Sequence, residues 1–390
     1  MKRRTFLLLP TLPTLPIMAA FEPAAWAREP VYPAVSSGQP LSFPRDYGAH
    51  PPYRTEWWYV TGWLQTDNGA PLGFQVTFFR SRPPLDDADP SHFAPTQLLF
   101  ADAALSDPRV GRLQHDQHAA RSGFGLAAAS ETDTDVFIDD WSMRRDTDGR
   151  YRISIAAADF TFQFTLRPAH PVLLNGAAGY SRKGPLPEEA SYYYSEPWLQ
   201  VDGILTGSTK PGTPGADPTE HPRHVRGHAW LDHEWSSAML ADGAVGWDWI
   251  GIDLDDGGAL MAFQIRDKAG RKFWAGGTLR DASGSTRALA PESVGFAPLR
   301  WWRSPHTSTR YPVAMRVDAG DLHLILKPLM DDQEVDSRLS TGTVYWEGAV
   351  FASHAADDAN RTGTTHESSA AKPLGHGYLE LTGYFQRLEL

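Results

Sequence analysis

Residues from Trp57 read WWYVTGWLQTDNGAPLGFQV, and residues from Trp247 read WDWIGIDLDDGGALMAFQI. Trp57 and Leu64 match Trp247 and Leu254 at a spacing of 190, and Phe74-Gln75-Val76 match Phe263-Gln264-Ile265 at 189. A second echo sets WLQVDGI (198–204) against YLELTGY (378–384), at a spacing of 180. Two echoes in the same order indicate a duplicated module of roughly 150–170 residues, the size of a domain. The competing explanation is chance similarity between short aromatic strands. If the duplication holds, each copy has to bury its own core with the same order of elements.

Those elements read as strands. The 14 tryptophans, 13 tyrosines and 18 phenylalanines favour pleated sheet, while 34 glycines and 31 prolines punctuate turns. EWWYVTGWLQTDNGAPLGFQVTFFR is two strands around Asp67-Asn68-Gly69, a strong hairpin signal. DVFIDDWSM, YRISIAAADFTFQFTL, GALMAFQIRD and LHLILKP continue the pattern. The fold class is therefore all-β, with antiparallel hairpins that point to a closed barrel or a sandwich. The modules are expected at 40–205 and 224–390, joined by the polar linker 206–223. A second polar loop spans 353–373.

Residues 1–27 stand apart. A basic start, an apolar run and the small-residue pattern Ala25-Trp26-Ala27 read as a cleavable signal peptide. Arg3-Arg4 before Thr5-Phe6-Leu7 resembles a twin-arginine export signal. The expectation is a periplasmic or secreted protein starting near Arg28, with no stable membrane span once the signal is removed. The absence of cysteine excludes disulfides, thiolate metal sites and cysteine nucleophiles. Net charge is −11, or −13 without Lys2, Arg3, Arg4 and Glu22, and no basic stripe suits nucleic acid.

The densest chemistry lies in HAWLDHEW, residues 228–235. Strand alternation puts His228, Trp230, Asp232 and Glu234 on one side and Ala229, Leu231, His233 and Trp235 on the other. The second side is apolar, which makes it the better cavity wall, with His233 its lone ionisable group; sequence leaves the inverse open. Histidine titrates nearest neutrality, and an adjacent carboxylate can hold its tautomer. The bland alternative is a satisfied polar network at a barrel end. The spacing matches no zinc motif, so neither a metal nor a cofactor is expected. Glu56-Trp57 echoes Glu234-Trp235 and reads either as a barrel-closing contact or as part of a ligand site. In SYYYSEPW, Tyr192 and Tyr194 share a face that would line a pocket, with Glu196 close by.

Together PRDYGAHPPYRTEWWYVTGWL, YYYSEPWLQVDGIL, GHAWLDHEWSS, GWDWIGIDL and YWEGAV…GYLELTGY resemble the AttH family of exported lipocalin-like proteins, often labelled secreted hydrolases. That family is related to carotenoid 1,2-hydratases (hydroxyneurosporene synthases). The resemblance spans nearly the whole mature chain and implies two lipocalin-like β-barrels in tandem. In the hydratases a histidine-x-tryptophan pair is needed for activity, and both His233-Glu234-Trp235 and His228-Ala229-Trp230 fit it. The hydratases' tyrosine-x-aspartate pattern is missing, and Asp248, between Trp247 and Trp249, is the nearest acid. The expected catalytic set is His233, Trp235, Asp232, Glu234 and Asp248. Ligand contacts are expected from His228, Trp230, Trp247, Trp249, Glu56, Trp57, Tyr192, Tyr194 and Glu196. The implied function is binding of an isoprenoid or lipid-like ligand, acted on by acid–base hydration, isomerisation or hydrolysis. The alternative is a non-catalytic carrier or envelope factor linked to a transport system.

Overall fold

Alternating sequence with aromatic side chains becomes sheet almost throughout. The computed structural model describes residues 30–85, 94–207, 222–238, 240–355 and 373–388. The proposed signal peptide and most of the proposed linker lie outside them. Among the described residues, only Arg45–Tyr47 and Pro291–Ser293 form helical turns, each three residues of 3-10 type. None is long and apolar enough to cross a membrane.

Among the described residues the strands form two antiparallel sheets, of 13 and 10 strands. Across the first, the neighbours run Gln114–Arg121, Leu98–Ser106, Pro71–Ser81, Thr55–Thr66, Arg223–Ser236, Ala190–Gly207, Phe160–Arg167, Tyr151–Ala156 and Trp141–Arg145, then two short strands. Across the second they run Thr286–Leu289, Lys272–Arg280, Ala259–Asp267, Ala244–Leu254, Gly375–Leu381, Thr343–His354, Leu322–Pro328, Arg310–Ala319 and Val294–Arg303. Position by position the orders correspond, and Trp57 and Trp247 lie on equivalent strands. The first sheet curls into a nearly closed barrel, with His118 stacked on Trp141 across its seam at 4.4 Å. The second is a half-barrel. The chain is thus all-β with tandem lipocalin-like barrels.

Pairing changes two details of the sequence reading. Arg223–Ser236 was expected to open the second module, yet it is hydrogen bonded into the first sheet, between Thr55–Thr66 and Ala190–Gly207. Its topological counterpart is Gly375–Leu381, so the echo between 198–204 and 378–384 joins strands one position apart. The hairpin echo also slips. Trp57 faces Phe79 and Trp247 faces Ile265, so the equivalent spacing in the return strand is 186, not 189. Short aromatic strands resemble one another whatever their place in a sheet, and only the ladder tells them apart.

Among the described residues, the three largest apolar clusters follow from the alternation. Trp58, Val60, Phe74, Phe78, Leu231 and Trp235 fill the first barrel. Ile250, Ile252, Val313, Met315 and Trp346 fill the second. The outward sides of both sheets, with Tyr59, Trp63, Tyr193, Trp230, Trp249 and Phe263, pack against each other. Trp63 Nε1 donates to the Gly377 carbonyl at 2.8 Å across this junction. Gly251 permits the close approach, because a Cβ there would lie 2.7 Å from the Trp249 ring and 2.9 Å from the Trp230 ring.

Candidate active site

The HAWLDHEW strand has polar chemistry on both sides. Trp58 and Tyr194 flank His233 on the barrel side, while Tyr59 and Ser195 flank Asp232 on the junction side.

Inside the barrel, His233 is fully buried. Its Nε2 donates to Glu56 Oε1 at 2.8 Å, and its Nδ1 accepts from the Tyr194 hydroxyl at 3.0 Å. Glu56 also takes His50 Nδ1 at 2.7 Å and Arg80 Nε at 2.7 Å. Burial by itself would raise the Glu56 carboxyl, but the bonds from His233 and His50 and the charge of Arg80 hold it well below the usual range. Burial pushes His233 down, favouring the neutral ring. His50 stacks on Trp235 at 3.7 Å and His233 on Trp58 at 4.7 Å. His50, Glu56 and His233 bring three ligand-type atoms within 4.8 Å of one another. Those atoms already satisfy one another, and the Arg80 guanidinium sits where a cation would be repelled. The geometry is that of a closed hydrogen-bond network.

Between the sheets lies a cavity of about 160 Å³. Its walls are Trp57, Trp247, Trp249, Phe79, Phe263 and Ile265, and its acids are Asp232, Glu234, Glu347 and Glu380. Asp232 accepts from Ser195 Oγ and Tyr193 OH at 2.5 Å each and from Trp230 Nε1 at 2.6 Å. Burial pushes its carboxyl up to about 7 despite these donors. Glu234 is bound by Ser191 Oγ and by Lys183 Nζ, the latter at 2.8 Å, and Lys183 lies over the rings of Tyr193 and Phe263.

Glu347 and Glu380 face each other as directly paired residues on adjacent strands. Burial and mutual repulsion raise Glu347 well above the usual range. Burial, with Asp232 and Glu234 nearby, raises Glu380. Trp247 Nε1 donates to Glu380 Oε2 at 2.9 Å. The Tyr59 hydroxyl and the Glu347 carboxyl are close enough to shift each other's proton affinity, yet neither Glu347 Oε1 nor the Tyr59 hydroxyl completes a hydrogen bond among the described residues.

Register shows that this pocket is built twice. Asp232 pairs with Tyr59 and Ser195, and Glu380 pairs with Trp249 and Glu347. Tyr59 and Trp249 therefore correspond, as do Asp232 and Glu380, Ser195 and Glu347, and Tyr193 and Tyr345. The Tyr59 and Trp249 rings meet edge to face at 5.2 Å, at the centre of the arrangement.

A family model described as AttH-like matches residues 34–384. The chain belongs to the AttH-like family. Among solved structures, this AttH-like chain is similar to a Nitrosomonas europaea protein described as an AttH, at 52% identity and a TM-score of 0.79, over 90% of this chain and 99% of that one. It is also similar to kievitone hydratase from Nectria haematococca, at 16% identity and a TM-score of 0.63, over 92% of this chain and 98% of that one. The second likeness is one of fold. No curated protein matches.

In this AttH-like chain the expected site residues divide among four places. Asp232, Glu234, Trp57, Trp247 and Trp249 line the pocket, and Trp230 touches it through Asp232. His233, Trp235, Glu56, Tyr192, Tyr194 and Glu196 point into the first barrel, not to this cavity; Glu196 accepts from Tyr151 OH at 2.5 Å. Asp248 lies within the second barrel, held by Arg266 Nε at 3.0 Å and Tyr384 OH at 3.0 Å. Arg266 is the register counterpart of Arg80, but Asp248 corresponds to Trp58 and Glu56 to Gly246, so the two barrels tie equivalent arginines to carboxylates two positions apart on the neighbouring strand. His228 is half-buried near the middle of its strand, edge-on to Trp198 at 4.8 Å and away from this cavity. The apolar side of HAWLDHEW looked like a ligand wall because a filled barrel and an open one need the same apolar lining. Sequence reasoning missed Glu347, Glu380, Tyr59, Tyr193, Tyr345 and Lys183. The available signal was a lone glutamate in each of the otherwise apolar strands VYWEGAV and GYLEL.

Proposed function

We propose that this protein is an exported hydratase-type enzyme that adds water to, or removes it from, an apolar ligand held between its barrels. The observation that carries the reading is the directly paired, buried Glu347–Glu380 couple in a tryptophan-walled cavity. Two adjacent carboxyls in an apolar site resist ionising together, so one keeps a proton near neutral pH. In the hydration direction that proton goes to an alkene carbon, leaving a cation flanked by the faces of Trp57, Trp247 and Trp249. Water then forms the new C–O bond, and its released proton goes to the carboxylate pair, which is left with one proton as before. Kievitone hydratase shares the fold, in keeping with this reading. A passive carrier would need the apolar walls but gains nothing from unpaired buried acids, which only lower its stability.

The ligand is an isoprenoid or a lipid of similar polarity. Lipids copurifying with the protein from its native envelope, identified by mass spectrometry, provide the substrate pool. Incubating them with the protein in oxygen-18 water should give a product heavier by one labelled water. Glu380→Gln should abolish this while ligand binding persists. Undiminished labelling with both Glu347→Gln and Glu380→Gln would refute the proposal.

A further inference from the structure

The two halves of the pocket have the same strand positions but not the same hydrogen bonding. In one half the chain of bonds is closed. Trp249 Nε1 donates to Tyr193 OH at 3.0 Å, Tyr193 donates to Asp232, and Ser195 and Trp230 complete that carboxyl. In the other half, glutamate stands where serine would donate, and tyrosine stands where tryptophan would. The result is a second acid in place of a donor, and two neighbouring groups, the Tyr59 hydroxyl and the Glu347 carboxyl, that influence each other while neither the hydroxyl nor Glu347 Oε1 completes a hydrogen bond among the described residues. Both residues line the cavity, at 7% and 2% exposure. A buried polar atom without a partner costs about 1–3 kcal/mol, so such atoms in a cavity mark where a ligand's own polar group belongs.

We propose that the open half is a hydroxyl-binding subsite, in which a ligand O–H accepts from the Tyr59 hydroxyl and donates to Glu347 Oε1. This rests on the pocket being the ligand site of the proposed function, and it narrows the ligand to a neutral, hydroxyl-bearing apolar molecule. A hydroxyl satisfies both atoms at once, whereas an ammonium offers no lone pair to Tyr59. A carboxylate would meet Asp232, Glu234, Glu347 and Glu380 against the single lining cation, Lys183, which is already paired with Glu234. The cavity, at about 160 Å³, takes one six-membered ring, similar to cavities that accept benzene. In the dehydration direction the subsite puts the leaving oxygen against Glu347. For the reaction the hydroxyl turns from donating to Glu347 to accepting from its protonated carboxyl: the Glu347 proton passes to the hydroxyl oxygen, the C–O bond breaks to release water, and a carbon-bound proton goes to the Glu380 carboxylate as the double bond forms.

Cyclohexanol, methylcyclohexane and cyclohexylamine serve as probes of nearly equal shape, with affinities measured by ligand-observed saturation-transfer NMR on the mature chain. The expected result is that cyclohexanol binds about tenfold more tightly than methylcyclohexane. Tyr59→Phe and Glu347→Gln should each reduce that preference. Methylcyclohexane should bind Tyr59→Phe as it binds the wild type, which checks that the variant has folded with its pocket intact. Equal affinity for alcohol and hydrocarbon, or a full preference retained in Tyr59→Phe, overturns the subsite even if labelled-water turnover persists. A preference for cyclohexylamine that grows as the carboxyls ionise overturns it in favour of a cation site. Failure of every probe to bind overturns the pocket itself, and with it both readings.

Discussion

Replacing His233 with alanine tests whether the HAWLDHEW histidine is structural or catalytic. The ring is fully buried, stacked on Trp58 at 4.7 Å and bonded to both Glu56 and Tyr194. Its removal strands the Tyr194 hydroxyl, at a cost of about 1–3 kcal/mol. Glu56 keeps His50 and Arg80, so that carboxylate does not become unpaired. The void between aromatic rings adds about 2–3 kcal/mol, at the lower end for large-to-small core changes. A total of about 4 kcal/mol corresponds to a melting temperature lowered by roughly 8–16 °C for domains of this size. Differential scanning calorimetry of His233→Ala beside His228→Ala should show that large drop for the first and little change for the half-buried second. Below its own transition, His233→Ala should retain binding and turnover. A variant that melts like the wild type but has lost turnover would refute the assignment of His233 to the barrel interior.

Three further outcomes follow from other parts of the molecule. The Asp232 carboxyl is raised by burial to about 7, so it binds its proton more tightly folded than unfolded. Its stability contribution is complete below the unfolded value near 4 and is lost as pH rises towards 7. Asp232→Asn should flatten that decline, and a melting-temperature profile as steep as that of the wild type would contradict it. Gly251→Ala should loosen the junction, because its methyl would meet Trp249 and Trp230 below 3 Å. Thermal unfolding and probe binding should both weaken, and an unchanged variant would refute the close approach. Arg3→Lys/Arg4→Lys should block export, and wild-type periplasmic protein should begin at Arg28; N-terminal sequencing that finds Met1 there would exclude a cleaved signal.

Much of the fold was legible along the chain because it depends on local periodicity. Asp67-Asn68-Gly69 forms its turn, with Gly69 at a φ of 80° that suits glycine. Two-residue alternation sorted HAWLDHEW into its two sides correctly, and the tryptophan echo at 190 revealed the duplicated strand order. The family words of the sequence carried the AttH relationship. Which side of HAWLDHEW meets a ligand was not legible. Alternation says that Asp232 and His233 point oppositely, but it does not say which sheet covers each side. That depends on Arg223–Ser236 crossing to the first sheet, which packs His233 into a filled barrel and turns Asp232 towards the second. Glu347 and Glu380 lie more than 100 residues from Asp232 in sequence. They become neighbours of one cavity only when two curved sheets dock by their outer faces. Periodicity acts through the nearest residues of one chain segment, whereas a carboxyl's proton affinity depends on whatever the whole fold places around it.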